Sequence, residues 1–250
     1  MARVMLDQRI LFIDGEAIIL DKPAGLAVTR PKLGGISLEN HLASLTFGFQ
    51  RWPEPVHRLD RDTSGCLLLA RNPKALKRFA QAFEARQVTK EYLAVVDGVP
   101  DAETGEIDMP LFKTSTAETG WRMVVDDRGK RALTRWEMLA VKDGRALLRF
   151  EPETGRTHQI RAHALYGLGL PIVGDTVYGS GGADRRADPL LLHSSFLSIL
   201  REGKPPVAAR APLPERFTVL GFADPQGSAA GYVDPEVRIA PATNDTPKKP

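Results

Sequence analysis

Three short apolar runs in this 250-residue chain close on an Asp-Gly pair: Asp14-Gly15, Asp97-Gly98 and Asp143-Gly144. Asp-Gly tolerates the positive φ that a tight hairpin demands, so runs that end this way read as antiparallel strands. Ile10–Ile13 and Ala17–Leu20 flank the first turn, and Ala132–Val141 and Arg145–Glu151 flank the third. Cys66–Ala70, Thr89–Val96, Leu190–His193 and Phe217–Leu220 have the same strand-like character. Helices are fewer. Ser37 caps a short one through about Leu45. Asn72 and Pro73 open a second, on which Leu76, Phe79, Ala80 and Phe83 recur at helical spacing. A third follows the loop at Gly155 and runs through His163 to Gly167. Strands joined by short turns outnumber helices, which predicts an α+β fold around a largely antiparallel sheet. No linker or repeat divides the body, so residues 1–226 read as one domain. Residues 227–250, rich in Pro, Ala and charge, read as a disordered tail.

Composition narrows the function little. Apolar residues at 42% and charged residues at 26% suit an ordinary globular protein. No run nears the roughly 18 apolar residues of a membrane span, and the first residues have no signal-peptide pattern. Cys66 is the single cysteine, which rules out an internal disulfide and fits the cytoplasm; within its apolar run it reads as a buried, inert strand residue. A net charge of +3 permits nucleic-acid binding without demanding it.

Chemistry can lie in three polar clusters. His57-Arg58-Leu59-Asp60 with Asp62-Thr63-Ser64-Gly65 precedes the buried run Cys66–Ala70, so it is a loop delivered by a strand. By turn chemistry alone it is a solvated turn. Lys90-Glu91-Tyr92 alone would be part of a half-buried strand. Gly155-Arg156-Thr157-His158-Gln159-Ile160-Arg161-Ala162-His163 is dense in side-chain donors; if helical from about Thr157, it puts His158 and Arg161 on one face and Ile160 and Ala164 on another. A metal site from His158 and His163 fails, because a gap of five does not align two imidazoles. No G-x-S-x-G elbow, Walker A loop or G-x-G-x-x-G fingerprint is present.

The stretch His57–Gly65 resembles the HRLD…TSG signature of the RluA-type pseudouridine synthases. In the family's order follow or precede it Ile18-Ile19-Leu20-Asp21-Lys22-Pro23-Ala24-Gly25, similar to its Lys-Pro-x-Gly strand and turn, and Lys90-Glu91-Tyr92, similar to its Lys-x-Tyr motif. Gly155–His163 resembles GRTHQIR-x-H, Gly174-Asp175-Thr176-Val177-Tyr178-Gly179 resembles GD-x-x-YG, and Leu191-Leu192-His193 resembles a late Leu-His strand. The ordered matches span about residues 10–220. Cys66 departs from a usual aliphatic residue, and the pattern begins too early for the S4-type RNA-binding module of many relatives.

The resemblance implies a pseudouridine synthase fold whose largely antiparallel mixed sheet is split into two halves by a central active-site cleft. It implies an isomerase of uridine in a ribosomal or transfer RNA stem-loop, cytoplasmic, free of cofactor and metal, and monomeric in the simplest case. Asp60 takes the role of nucleophile, either attacking the sugar carbon directly or assisting elimination through a glycal. Arg161 would hold and orient that carboxylate through a bidentate contact. Tyr92 would pack on the uracil and is a candidate to remove the C5 proton. Arg58 would fill the gap left by a flipped uridine. His57, Arg156, His158 and Gln159 are assigned to scaffolding or RNA contact. Two other classes were weighed: a non-catalytic RNA-binding or RNA-folding factor, against which the joint presence of Asp60, Tyr92 and Arg161 speaks, and a nucleoside glycosidase or deaminase. The single cysteine excludes a zinc deaminase, and Asp62 is a weak second carboxylate for a glycosidase.

Overall fold

A computed structural model describes residues 5–31, 34–116, 120–179 and 189–225; the expected tail, 227–250, lies outside the described residues. A 3-10 turn, Leu6–Arg9, leads into β1 (Ile10–Ile13) and β2 (Ala17–Lys22), and a second 3-10 helix spans Leu38–Leu45. There follow β3 (Glu54–Pro55), β4 (Ser64–Ala70), α1 (Pro73–Glu84), β5 (Val88–Val96), β6 (Thr104–Asp108), β7 (Leu111–Thr116) and β8 (Gly120–Val125). The remainder is β9 (Leu133–Lys142), β10 (Arg145–Pro152), α2 (Gln159–Leu168), β11 (Leu192–Arg201), β12 (Lys204–Arg210) and α3 (Glu215–Thr218).

Local chemistry explains the boundaries. Asp14 Oδ1 accepts from the Glu16 and Ala17 amides, both at 2.8 Å, and closes the β1–β2 turn. Asn72 Oδ1 accepts from Ala75 N at 2.9 Å, and Pro73 needs no donor in the first turn of α1. The expected strand Phe217–Leu220 is instead α3 and the turn after it: Pro214 sets the helix start, and the core is met by Phe217 and Leu220, three residues apart, rather than by alternating residues.

Ten strands form one sheet in the order β1-β2-β4-β11-β5-β10-β9-β6, with β3 on β4 and β12 on β11. The one parallel ladder between named strands joins β4 to β11 over two residue pairs, Ser64 with His193 and Gly65 with Ser194. Beyond them β12 takes over the β11 edge from Phe196 onward, and β11 bulges at Ser195. The sheet thus forks into a β1–β4 half and a β5–β10 half. Ser64 Oγ and His193 Nδ1 meet at 2.8 Å across the fork, with the Arg216 guanidinium donating to the same hydroxyl at 2.5 Å.

Apolar layers fix each half. Phe79 of α1 packs with Cys66, Leu68, Leu197 and Val207, while Leu38, Leu42 and Leu45 of the second 3-10 helix cover Ile18, Leu20, Leu67 and Leu69. Ile160 and Ala164 of α2 join Leu93, Leu148 and Phe150. Cys66 is fully buried, and burial pushes its thiol up to about 12. The β7–β8 hairpin is a small separate sheet, anchored by Leu111 and Met123 against Ala132, Ala162 and Tyr178. Among the described residues no helix is long and apolar enough to cross a membrane.

At the fork Gly65 has φ +102°, and a Cβ there would sit 2.1 Å from the Ser194 carbonyl oxygen and 2.9 Å from His193 Cε1. Gly65→Ala is expected to cost about 2–4 kcal/mol in urea denaturation. Gly15→Ala, with nothing within 4 Å of its Cβ, should stay within about 0.5 kcal/mol of the parent.

Candidate active site

A cavity opens over the fork, lined by Arg58, Leu59, Asp60, Lys90, Tyr92, Thr154, Arg156, His158 and Arg161 among others. The Asp60 loop is built from below. Leu59 is 5% exposed and inserts among the apolar residues under the second 3-10 helix. Lys22, wholly buried, donates from Nζ to the carbonyls of Pro23, Leu26 and Arg61 at 2.9, 2.8 and 3.0 Å. Gly25 N donates to the same Arg61 oxygen at 2.9 Å. Burial pulls the Lys22 ammonium down to about 7, against the attraction of Asp62 and Asp60. The Lys-Pro-x-Gly turn therefore clamps the backbone next to Asp60.

The third residue of α2 meets that loop. Arg161 Nη1 donates to Asp60 Oδ2 at 3.0 Å, across 101 positions of sequence. Its bidentate face is turned elsewhere: Nε and Nη2 donate to the two Asp175 oxygens at 2.7 and 2.8 Å. The expectation of a bidentate Arg161–Asp60 contact is corrected accordingly. Asp175 is the fully enclosed partner, its side chain 0% exposed against 20% for Asp60, so it takes the two-pronged bond that a buried charge needs. Asp175 Oδ1 also accepts from Val177 N and Tyr178 N at 2.8 and 3.0 Å. Burial pushes the Asp175 carboxyl up, but Arg161 and these amides outweigh it and hold its pKa below the usual range. Burial likewise works against the Arg161 charge, and the two carboxylates overcome it and raise its pKa.

His158 also reaches Asp60, by a route that helical spacing does not give. Helix α2 begins at Gln159, and His158 is its left-handed N-cap (φ 52°, ψ 21°); the expected shared helical face of His158 and Arg161 is therefore not formed. A left-handed non-glycine residue costs on the order of 1–3 kcal/mol and here turns the imidazole beneath Asp60. Nε2 lies 3.7 Å from Asp60 Oδ2, and Nδ1 lies 3.1 Å from the Tyr178 hydroxyl. That hydroxyl also accepts from Met123 N at 2.9 Å. Burial holds the imidazole neutral, down to about 4, despite the pull of Asp60. Arg161 bonds Oδ2 and His158 stands by the same oxygen, and no described group bonds Oδ1.

Strand alternation supplies the opposite wall. Lys90 and Tyr92 of β5 line the cavity, while Glu91 between them turns away to Arg210 at 3.3 Å. Burial raises the Tyr92 phenol to about 12, with Ser194 pulling the other way, so the resting phenol keeps its proton. Burial lowers Lys90 to about 8. Arg58 is exposed at the rim, and Arg156 donates from Nε to the Arg131 carbonyl at 3.0 Å.

Two residues assigned to scaffold or RNA contact turn inward. Gln159 uses its whole amide within the protein: Nε2 donates to Leu133 O and Thr134 Oγ1, and Oε1 accepts from Thr154 Oγ1 and Arg156 N, at 2.7–3.0 Å. His57 Nε2 accepts from Leu68 N at 3.0 Å, and its ring stacks on Phe83 at 4.6 Å. Burial, with Lys90 nearby, pushes that imidazole down to about 3. Both are scaffold. Asp175, Tyr178 and Lys22 had only their place in motifs to announce them, and Trp121, whose ring meets His158 edge to face at 4.8 Å, had no sequence signal.

The family model for RNA pseudouridylate synthase matches residues 16–166. The chain belongs to the RNA pseudouridine synthase family. Members are isomerases, and this chain is of the RluA type. It is 59% identical over 218 residues to an uncharacterized RNA pseudouridine synthase of Zymomonas mobilis, covering 87% of this chain and 99% of that one. It is 37% identical to ribosomal large subunit pseudouridine synthase D of Borreliella burgdorferi and 38% to synthase C of Haemophilus influenzae, over 76% and 77% of this chain. It spans 60% and 59% of their lengths. Human RNA pseudouridylate synthase domain containing 4 superposes with a TM-score of 0.74 at 25% identity, over 88% of this chain and 95% of that one.

The Asp175 pairing generates a stability test. Because its folded pKa is depressed, its contribution is complete above the unfolded value near 3.8 and is lost as pH falls through the lower folded value. Asp175→Ala is expected to cost about 3–5 kcal/mol at pH 7, since it strands a buried guanidinium. It should also flatten the decline in melting temperature below about pH 4.

Proposed function

We propose that this synthase isomerises uridine in a structured ribosomal or transfer RNA, with Asp60 as the nucleophile and the target base flipped into the cavity. The observation that supports it most is the asymmetry of the Asp60 carboxylate. Arg161 and His158 address Oδ2, which leaves Oδ1 as the oxygen able to meet the sugar carbon. The reaction breaks N1–C1′ and forms C5–C1′; the C5 proton leaves to solvent and N1 takes one up, so the product is an isomer of the substrate. Direct attack on C1′ and assisted elimination through a glycal place the carboxylate alike.

Tyr92 serves as the wall on which the uracil packs. Its raised pKa favours this role over proton removal by a resting phenolate. Arg58 at the rim is free to enter the gap left by the flipped nucleotide; extrusion costs a few kcal/mol and is cheapest in a loop. Charge pairing supports an RNA partner. Arg58 and Arg156, which line the cavity, and Lys113 beside Trp121 have no carboxylate in ion-pair range among the described residues, which leaves their charge for phosphates. The relatives named for the ribosomal large subunit favour ribosomal RNA as the substrate, and a single buried cysteine fits a cytoplasmic enzyme.

Tritium release from C5-labelled total RNA, taken from a strain lacking this gene, tests the reading. The wild type is expected to release tritium and Asp60→Asn none, with RNA binding retained. Asp62→Asn should stay active, because Asp62 pairs with Arg61 at the surface. No release by the wild type, with binding intact, would make the chain a non-catalytic RNA factor.

A further inference from the structure

Trp121 is poorly explained by packing. The β7–β8 hairpin is fastened to the body by Leu111 and Met123. Cross-strand register places Lys113 opposite Met123 and Ser115 opposite Trp121, so Leu111, Lys113, Ser115, Trp121 and Met123 share one face. The face is buried where it meets α2 and Tyr178, and further out it presents an indole that is 38% exposed. Lys113 Nζ stands 5.5 Å from that ring's centre, within cation–π range. The other edge of the indole environment is His158, which itself addresses Asp60. An exposed aromatic surface with a cation beside it thus stands one side chain from the nucleophilic carboxylate.

We propose that Trp121 is a stacking platform for a base flanking the target uridine, with Lys113 holding the adjoining phosphate. The proposal rests on the reading of the cavity as the uridine site. A flipped nucleotide leaves its neighbours unstacked, and an aromatic face replaces the lost stacking with any base. The unpaired cations Arg58, Arg156 and Lys113 fit a polyanionic strand running past the cavity rather than a peptide or an apolar ligand.

Tryptophan emission reads the contact directly. Trp52 is 59% exposed and Trp136 is buried at 7%, so Trp52→Phe leaves Trp121 as the exposed indole. Titration of that variant with RNA from the strain lacking this gene should quench its emission, and Trp52→Phe/Trp121→Phe should lose the quenching. In tritium release, Trp121→Ala should raise KM roughly ten-fold with kcat within about two-fold, and Trp121→Phe, which keeps an aromatic face, should restore most of the loss. Release intact with no quenching and an unchanged KM would overturn the platform and leave the isomerase standing. Quenching without any release by the wild type would keep the platform and overturn the isomerase.

Discussion

One guanidinium sits between two carboxylates, and the active site is arranged around that charge. Arg161 is 7% exposed, so its burial is tolerable only with partners in place. Asp175, delivered by the turn after α2, supplies the bidentate bond and is itself held by two amides. Asp60, delivered by the loop before β4, takes an N–H of Nη1. The two acids differ in enclosure rather than in type. The enclosed one is satisfied and structural, and the half-open one keeps an oxygen in reserve.

Much of the polar content of the motif segments serves to build this geometry. Gln159 ties the Gly155 loop to β9 with four hydrogen bonds, and His163 bridges Thr134 and the Met109 carbonyl. His57 fastens the Asp60 loop to β4, and Lys22 gathers three carbonyls beneath it. A sequence motif records such supports as faithfully as it records reacting groups. That is why the ordered motifs converge on one cavity while the parts of single residues within them are not separable from sequence.

The strands closed by Asp-Gly turns and the helix begun at Asn72-Pro73 were legible because their determinants are local. Other parts depend on tertiary context. β12 carries Pro205 and Pro206 and is a strand only because it lies on the edge of β11. β7 and β8 are only partly apolar and owe their stability to α2 and Tyr178. The segment Phe217–Leu220 has apolar strand composition but meets the core through Phe217 and Leu220, three residues apart. His158 escaped the helical reading because a positive φ is uncommon at any non-glycine residue, and nothing local to the sequence singles out this one. Asp60, Tyr92 and Arg161 do line one cavity, but the division of Arg161 between two acids required coordinates.

The two residue pairs between β4 and β11 also set a timetable. Ser64 and His193 are 129 positions apart, and nearly everything else in the sheet is joined by antiparallel neighbours closer in sequence. Closing so long a loop for so short a ladder yields little hydrogen bonding for its entropy, so the fork is expected to form after each half has consolidated. The cavity exists only once that junction has closed. A nascent or partly unfolded chain therefore carries Asp60 and Arg161 without the contact that joins their two loops across 101 positions of sequence.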